Sequence, residues 1–116
     1  MDLAMTSTAQ GARTVVHVGG EIDVYTAPAL RRHLDEQIQR GCRDLVVDLA
    51  EVTFLDSTGL GVLVGRLKLI RSQGGIMRIV ATQERVLKVF TITGLDRVFE
   101  LLGSVGDLPE PGGLSA

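Results

Sequence analysis

Apolar positions recur along this chain in two rhythms, one of period two and one of period four. Leu3 and Met5 alternate with polar neighbours, which predicts a strand over 3–8. Gln10-Gly11-Ala12 reads as a turn, and Arg13 to Val18, rich in β-branched residues, as the second arm of a hairpin. Gly19-Gly20-Glu21-Ile22-Asp23 continues as an irregular extended segment. Thr26 then reads as a helix N-cap, with Pro28 in the first turn where its missing N–H costs little. Leu30, Leu34 and Ile38 recur every fourth residue and mark the buried stripe of a first helix. Arg31, Arg32, Asp35, Glu36 and Gln39 fall on its wet side, where Arg32 and Glu36 are spaced to pair. His33 sits at the stripe's border, and Gly41 ends the helix.

Leu45-Val46-Val47-Asp48-Leu49 is a nearly continuous apolar run, the signature of a central strand covered on both faces. Asp48 interrupts one face and is expected near the strand's end. Ala50 to Leu55 then reads as a connector into a second helix over 57–72. Leu60, Leu63, Val64, Leu67 and Ile70 form its core stripe, and Gly61, Gly65, Lys68 and Ser72 the opposite one. Each glycine on that opposite stripe costs about 1 kcal/mol relative to alanine. Either a neighbouring element packs closely there, or the stripe is a shallow surface for a partner. Gly74-Gly75 ends the helix, and Ile76 to Val80 is another apolar strand. Thr82 reads as the cap of a third helix with Val86, Leu87 and Phe90 buried and Gly94 as its stop. Arg97 to Leu101 reads as a last short strand.

The order strand, strand, helix, strand, helix, strand, helix, strand predicts an α/β domain. One mixed sheet of four to five strands, with helices packed against it and right-handed crossovers, accounts for the pattern. The domain is expected over 1–108. The Gly- and Pro-containing stretch 109–116 lacks a core-forming pattern and is expected to be a disordered tail.

Composition narrows the function classes. A chain of 116 residues is one domain in size, and its 3% aromatic content leaves the core to Val, Leu, Ile and Ala. A net charge of -2 without a basic block gives no footprint for nucleic acid. Cys42 stands alone, so no internal disulfide forms, in keeping with a reducing cytoplasm. The first ten residues lack a signal peptide's charge and apolar run, and nothing reaches the ~18 apolar residues of a membrane span. A cytoplasmic location without membrane attachment is the expectation.

Enzyme signatures do not assemble. Ser57 lacks the Gly-x-Ser-x-Gly frame, and neither His17 nor His33 has an evident acidic partner. The glycines at 59, 61 and 65 miss the dinucleotide spacing and fall within the helix. No phosphate-binding loop and no paired metal ligands occur, so no catalytic residue, cofactor or metal is expected. A rival is a receiver-like domain with Asp56 as phosphoacceptor and Glu21 and Asp23 as magnesium ligands. Against it, Asp56 lies seven residues beyond Leu49 and no lysine follows the last strand.

The stretch before the second helix carries the most unusual pattern. Asp56, Ser57 and Thr58 are three N-cap types in a row, followed by a nearly bare Gly59-Leu60-Gly61 entrance. A plain cap worth about 1 kcal/mol explains one of them. A phosphate on Ser57 would add a charge of about −1.5 to −2 at a helix N-terminus, which accommodates anions. Asp56 would oppose it, so a local change of charge and shape is expected rather than refolding.

Gly20-Glu21-Ile22-Asp23, the strand at 45–49 and Phe54-Leu55-Asp56-Ser57-Thr58-Gly59-Leu60-Gly61-Val62-Leu63 together resemble a STAS domain of the bacterial anti-sigma factor antagonist type. Gly74-Gly75 and Thr93-Gly94-Leu95 fit the same layout, and the resemblance covers 3–102. It implies partner switching. The unphosphorylated protein would bind an anti-sigma factor that is also an ATP-binding serine kinase, freeing a sigma factor. Phosphorylation of Ser57 would end the complex, and a protein phosphatase would restore it. The resemblance assigns partner binding to Asp23, Asp56, Ser57, Thr58, Gly59, Gly61 and Gly65, and favours the partner explanation of the helix glycines. Relatives often end in a clear helix, whereas 103–116 is rich in Gly and Pro, and Thr58 stands where serine is frequent. A second reading from another class is a STAS-fold sensor for a nucleotide or other small anion.

Overall fold

A computed structural model of the chain describes residues 2–110. The hairpin forms from β1, Ala4–Gln10, and β2, Arg13–Ile22, with Gly11 taking the positive φ of 63° that its tight turn requires. Next come α1, Ala27–Gln39; β3, Asp44–Leu55; and α2, Ser57–Ser72. After them follow β4, Ile76–Val80; α3, Glu84–Thr93; and β5, Glu100–Leu102. Short 3-10 turns occupy Leu95–Arg97 and Val105–Asp107. Among the described residues the sheet runs β1-β2-β3-β4-β5, antiparallel at its first pair and parallel beyond it. This is the expected mixed α/β architecture in the expected order.

The apolar stripes decide which face each element buries. Leu30, Leu34 and Ile38 of α1, Leu60, Leu63, Leu67 and Ile70 of α2, and Val86 and Phe90 of α3 share one core with Val16, Leu45, Val47 and Ile79 of the sheet. Phe90 meets Phe99 edge-on, with centroids 5.7 Å apart. On the other face Val15, Val46 and Val80 are covered by Leu102, Val105 and Leu108. Leu45, Val46, Val47 and Leu49 therefore turn to two buried faces, as a continuous apolar run implies.

Several local expectations are overturned. Ala50 to Leu55 is not a connector, and Gly19 to Ile22, extended and irregular in register as expected, belongs to strand β2. Each is the other's sheet partner, with Gly19 opposite Glu51, Glu21 opposite Phe54 and Ile22 opposite Leu55. Register breaks after His17 and Gly20 hide that pairing from a period-two scan. Asp48 thus lies mid-strand, and its Oδ2 is 2.9 Å from Nδ1 of His17, the acidic partner that the sequence did not reveal. Helix α3 starts after Gln83 rather than at a Thr82 cap. Arg31, not Arg32, makes the i,i+4 pair, with Asp35 at 3.7 Å, and Arg66 reaches the same carboxylate at 3.2 Å. Val64 is only partly buried. The last strand starts three residues later than expected because Leu95–Arg97 coils first. Pro109 and Glu110 take no regular structure, and the rest of the expected tail, 111–116, lies outside the described residues.

Candidate functional site

The carboxyl ends of β2 and β3 bring two loops together. Ile22 stands opposite Leu55, and the Asp56 N–H donates to the Ile22 carbonyl at 3.2 Å. The 23–26 loop and the entrance to α2 therefore lie side by side, at the strand ends where α/β sheets place their sites.

At that entrance the work is divided between neighbours. Asp56 is the N-cap: its backbone is extended and its Oδ1 accepts from the Gly59 N–H at 3.1 Å. Its carbonyl accepts from Leu60 at 3.0 Å. Ser57 is the first helical residue and is exposed, as is Thr58. Because Asp56 supplies the cap, the Ser57 hydroxyl is not consumed in holding the helix.

The glycines of α2 have two different reasons. Gly59 is buried, and a Cβ there would lie 2.5 Å from Ile22 Cγ2 and 2.6 Å from Leu55 Cδ1. It lets the first turn settle onto the strand ends. A Cβ on Gly61 or Gly65 would meet nothing within 4 Å. Close packing, one of the two explanations the sequence left open for Gly61 and Gly65, therefore fails at both, while Gly59, expected on the partner surface, is the one that is closely packed.

Asp23 shapes the other loop. Its Oδ1 accepts from the N–H groups of Tyr25 at 2.9 Å and Thr26 at 3.0 Å. The Thr26 N–H above all holds the Asp23 carboxyl below the ordinary carboxylate range, against desolvation, with the Tyr25 N–H and the Thr26 hydroxyl adding to the depression. Thr26 is not a side-chain cap for α1, contrary to expectation. Its Oγ1 donates to the Glu21 carbonyl at 2.8 Å and accepts from the Asp23 N–H at 2.9 Å. The loop is so tied that its two middle residues point away: Tyr25 is 86% exposed and Val24 57%. Phe54, 37% exposed, stands on β3 opposite Glu21.

Sequence reasoning missed Val24, Tyr25 and Phe54. The available signal was three large apolar side chains, outside every helical stripe, directly flanking the polar site positions. The structure brings Asp23, Asp56, Ser57, Thr58 and Gly59 to one end of the sheet, while Gly61 and Gly65 continue along α2. Asp56 directly follows its strand, contrary to expectation, since β3 runs on to Leu55. A receiver-like role finds other obstacles: the Asp56 carboxylate is engaged by Gly59. Among the described residues no three His, Cys, Asp or Glu side chains gather to hold a metal, Glu21 and Asp23 included. No helix among them is long and apolar enough to cross a membrane.

The STAS-domain family model matches residues 4–108. This chain belongs to the STAS family. The STAS domain is 43% identical over 86 residues to the anti-sigma-B factor antagonist of Bacillus subtilis (strain 168), covering 74% of this chain and 78% of that one. That similarity places it among the anti-sigma factor antagonists, regulatory proteins rather than enzymes. A crystal structure of an anti-sigma factor antagonist from Mycobacterium paratuberculosis superimposes with a TM-score of 0.85 at 30% identity, over 90% of this STAS domain and 89% of that chain. The Bacillus cell fate determinant SpoIIAA in its phosphorylated form shares the fold, with a TM-score of 0.66 at 19% identity over 88% and 92% of the two chains.

Proposed function

We propose that this STAS domain is a partner-switching anti-sigma factor antagonist whose phosphoacceptor is Ser57. The unphosphorylated form binds an anti-sigma factor that is also an ATP-dependent serine kinase, and a sigma factor is released. The kinase phosphorylates Ser57 and the complex separates, and a phosphatase restores the binding form. The whole cycle is assigned to the cytoplasm, where these partners act.

One observation carries the reading: an exposed hydroxyl on the first residue of α2, left free because Asp56 supplies the cap. A kinase can approach it without unfolding anything. The surrounding surface suits a partner. Asp23, Asp56, Ser57 and Thr58 are its polar centre, Gly61 and Gly65 leave the adjoining helix wall shallow, and Val24, Tyr25 and Phe54 offer apolar anchors beside it. Gly59 acts from beneath, by seating the helix. A phosphate at this position meets the positive end of the α2 dipole but stands next to the Asp56 carboxylate. The added charge of about −1.5 to −2 therefore changes the docking surface more than the fold.

Incubation with the cognate anti-sigma kinase and ATP, followed by mass spectrometry, tests the assignment. Acid-stable phosphate on Ser57 is expected, whereas acid-labile phosphate on Asp56 would restore the receiver reading. Ser57→Ala should bind the anti-sigma factor and resist release by ATP. Ser57→Asp should bind at least tenfold more weakly, a loss of about 1.4 kcal/mol. Stabilisation by a nucleotide alone, with no kinase present, would instead favour the small-anion sensor.

A further inference from the structure

The two edges of the sheet differ sharply in how they are protected. The β5 edge is three residues long, begins with Glu100, and is followed by the Val105–Asp107 turn. The β1 edge is seven residues long, Ala-Met-Thr-Ser-Thr-Ala-Gln, about 24 Å of strand at ~3.4 Å per residue. It carries no charge, no proline and no bulge against β2. Natural edge strands are usually blunted by one of those devices, because an unblunted edge recruits another strand.

The hairpin fixes which backbone groups remain open. Gln10 and Arg13 flank a two-residue turn and so exchange hydrogen bonds with each other. Antiparallel pairs then alternate, so Thr8, Thr6 and Ala4 are bonded to β2. The N–H and C=O groups of Met5, Ser7 and Ala9 point away from the sheet. This set is symmetric about Ser7. Two copies related by a twofold axis would place Ser7 against Ser7 and Met5 against Ala9, closing about six backbone hydrogen bonds.

We propose that β1 pairs antiparallel with β1 of a second copy of this chain, joining two sheets into one of twice the width. Self-pairing meets no repulsion along the seam, because the strand is uncharged. On the open face Thr6 of one copy stands beside Thr8 of the other, a favourable cross-strand pair. On the helix face Ser7 stays 2.7 Å from Nε2 of His33, so α1 flanks the seam without entering it. The seam lies along the β1 edge, two strands from β3 and outside the Asp23 and Ser57 loops. Both Ser57 sites remain accessible in the pair. An interface made by one strand is smaller than the ~1,000 Å² of stable complexes, so the dimer is weak and concentration-dependent.

Sedimentation equilibrium of the full chain tests this, alongside amide exchange at increasing concentration. A monomer–dimer equilibrium is expected, with exchange slowing at Met5, Ser7 and Ala9 as the dimer fills. Thr6→Lys/Thr8→Lys places four lysines across the seam on exposed positions and should weaken the dimer at least tenfold while leaving the circular dichroism spectrum intact. A chain that stays monomeric up to about 1 mM overturns the proposal. So does a dimer that survives the double lysine substitution, or β1 protection that appears only when an anti-sigma factor is added.

Discussion

Helix α2 has an inner wall and an outer wall, and glycine serves each for opposite reasons. On the inner wall Gly59 is where Ile22 and Leu55 press so close that a methyl group would not fit. On the outer wall Gly61 and Gly65 face open space, where a methyl group would touch nothing of this chain. Fold requirements explain the first and leave the others without an internal cause. The difference separates a residue that the domain's own packing requires from two that the proposed partner surface would account for.

The sharpest way to break that contrast is Gly59→Ala. Overpacking of this kind costs about 1–3 kcal/mol, and Ile22 Cγ2, close to its own backbone, has little room to yield. A clear fall in the urea midpoint is expected despite the better helix propensity of alanine. A midpoint at or above that of the parent would show that the inner wall is not tight. Next comes Tyr25→Ala, on the apolar rim. Folding should stay within about 0.5 kcal/mol of the parent. Affinity for the anti-sigma factor should fall at least fivefold, about 1 kcal/mol, in a calorimetric titration. Smaller at each position is the effect of Gly61→Ala/Gly65→Ala, which should raise stability by roughly 0.5–1 kcal/mol per site while weakening the partner complex. Unchanged affinity in that variant would move the docking surface off the outer wall.

The smallest effect concerns pH. The Asp23 carboxyl is depressed mainly by the Thr26 N–H. A depressed folded value means that the loop's contribution to stability is present above the ordinary carboxylate range and is lost as pH falls through the lower value. Solvent screening keeps that contribution small. A carbon-detected NMR titration should find Asp23 titrating below the ordinary carboxylate range, and an ordinary value would show the loop to be loosely held.

What could be read from the sequence follows from how far apart the interacting residues are. The Leu30, Leu34, Ile38 stripe and the α2 limits were legible because helix periodicity is local. The upper half of the β2–β3 pairing was not, because Gly19 to Ile22 and Ala50 to Leu55 look irregular until each is set beside the other. His17 and Asp48, thirty-one positions apart, escaped for the same reason. At the candidate site the polar residues were legible from the Asp-Ser-Thr cluster and the family resemblance. The apolar rim was not, since only the folded loop turns Val24 and Tyr25 outward. Likewise Thr26 looked like a cap, but its hydroxyl is engaged by the Asp23 N–H and the Glu21 carbonyl, five positions back in the chain, instead of the first turn of α1.

Asp56 caps α2, so Ser57 has no structural duty. A mark written on Ser57 and later erased would leave the molecule's foundations as they were. The protein could then be recycled through many rounds of signalling without being rebuilt, and its lifetime would be independent of its message.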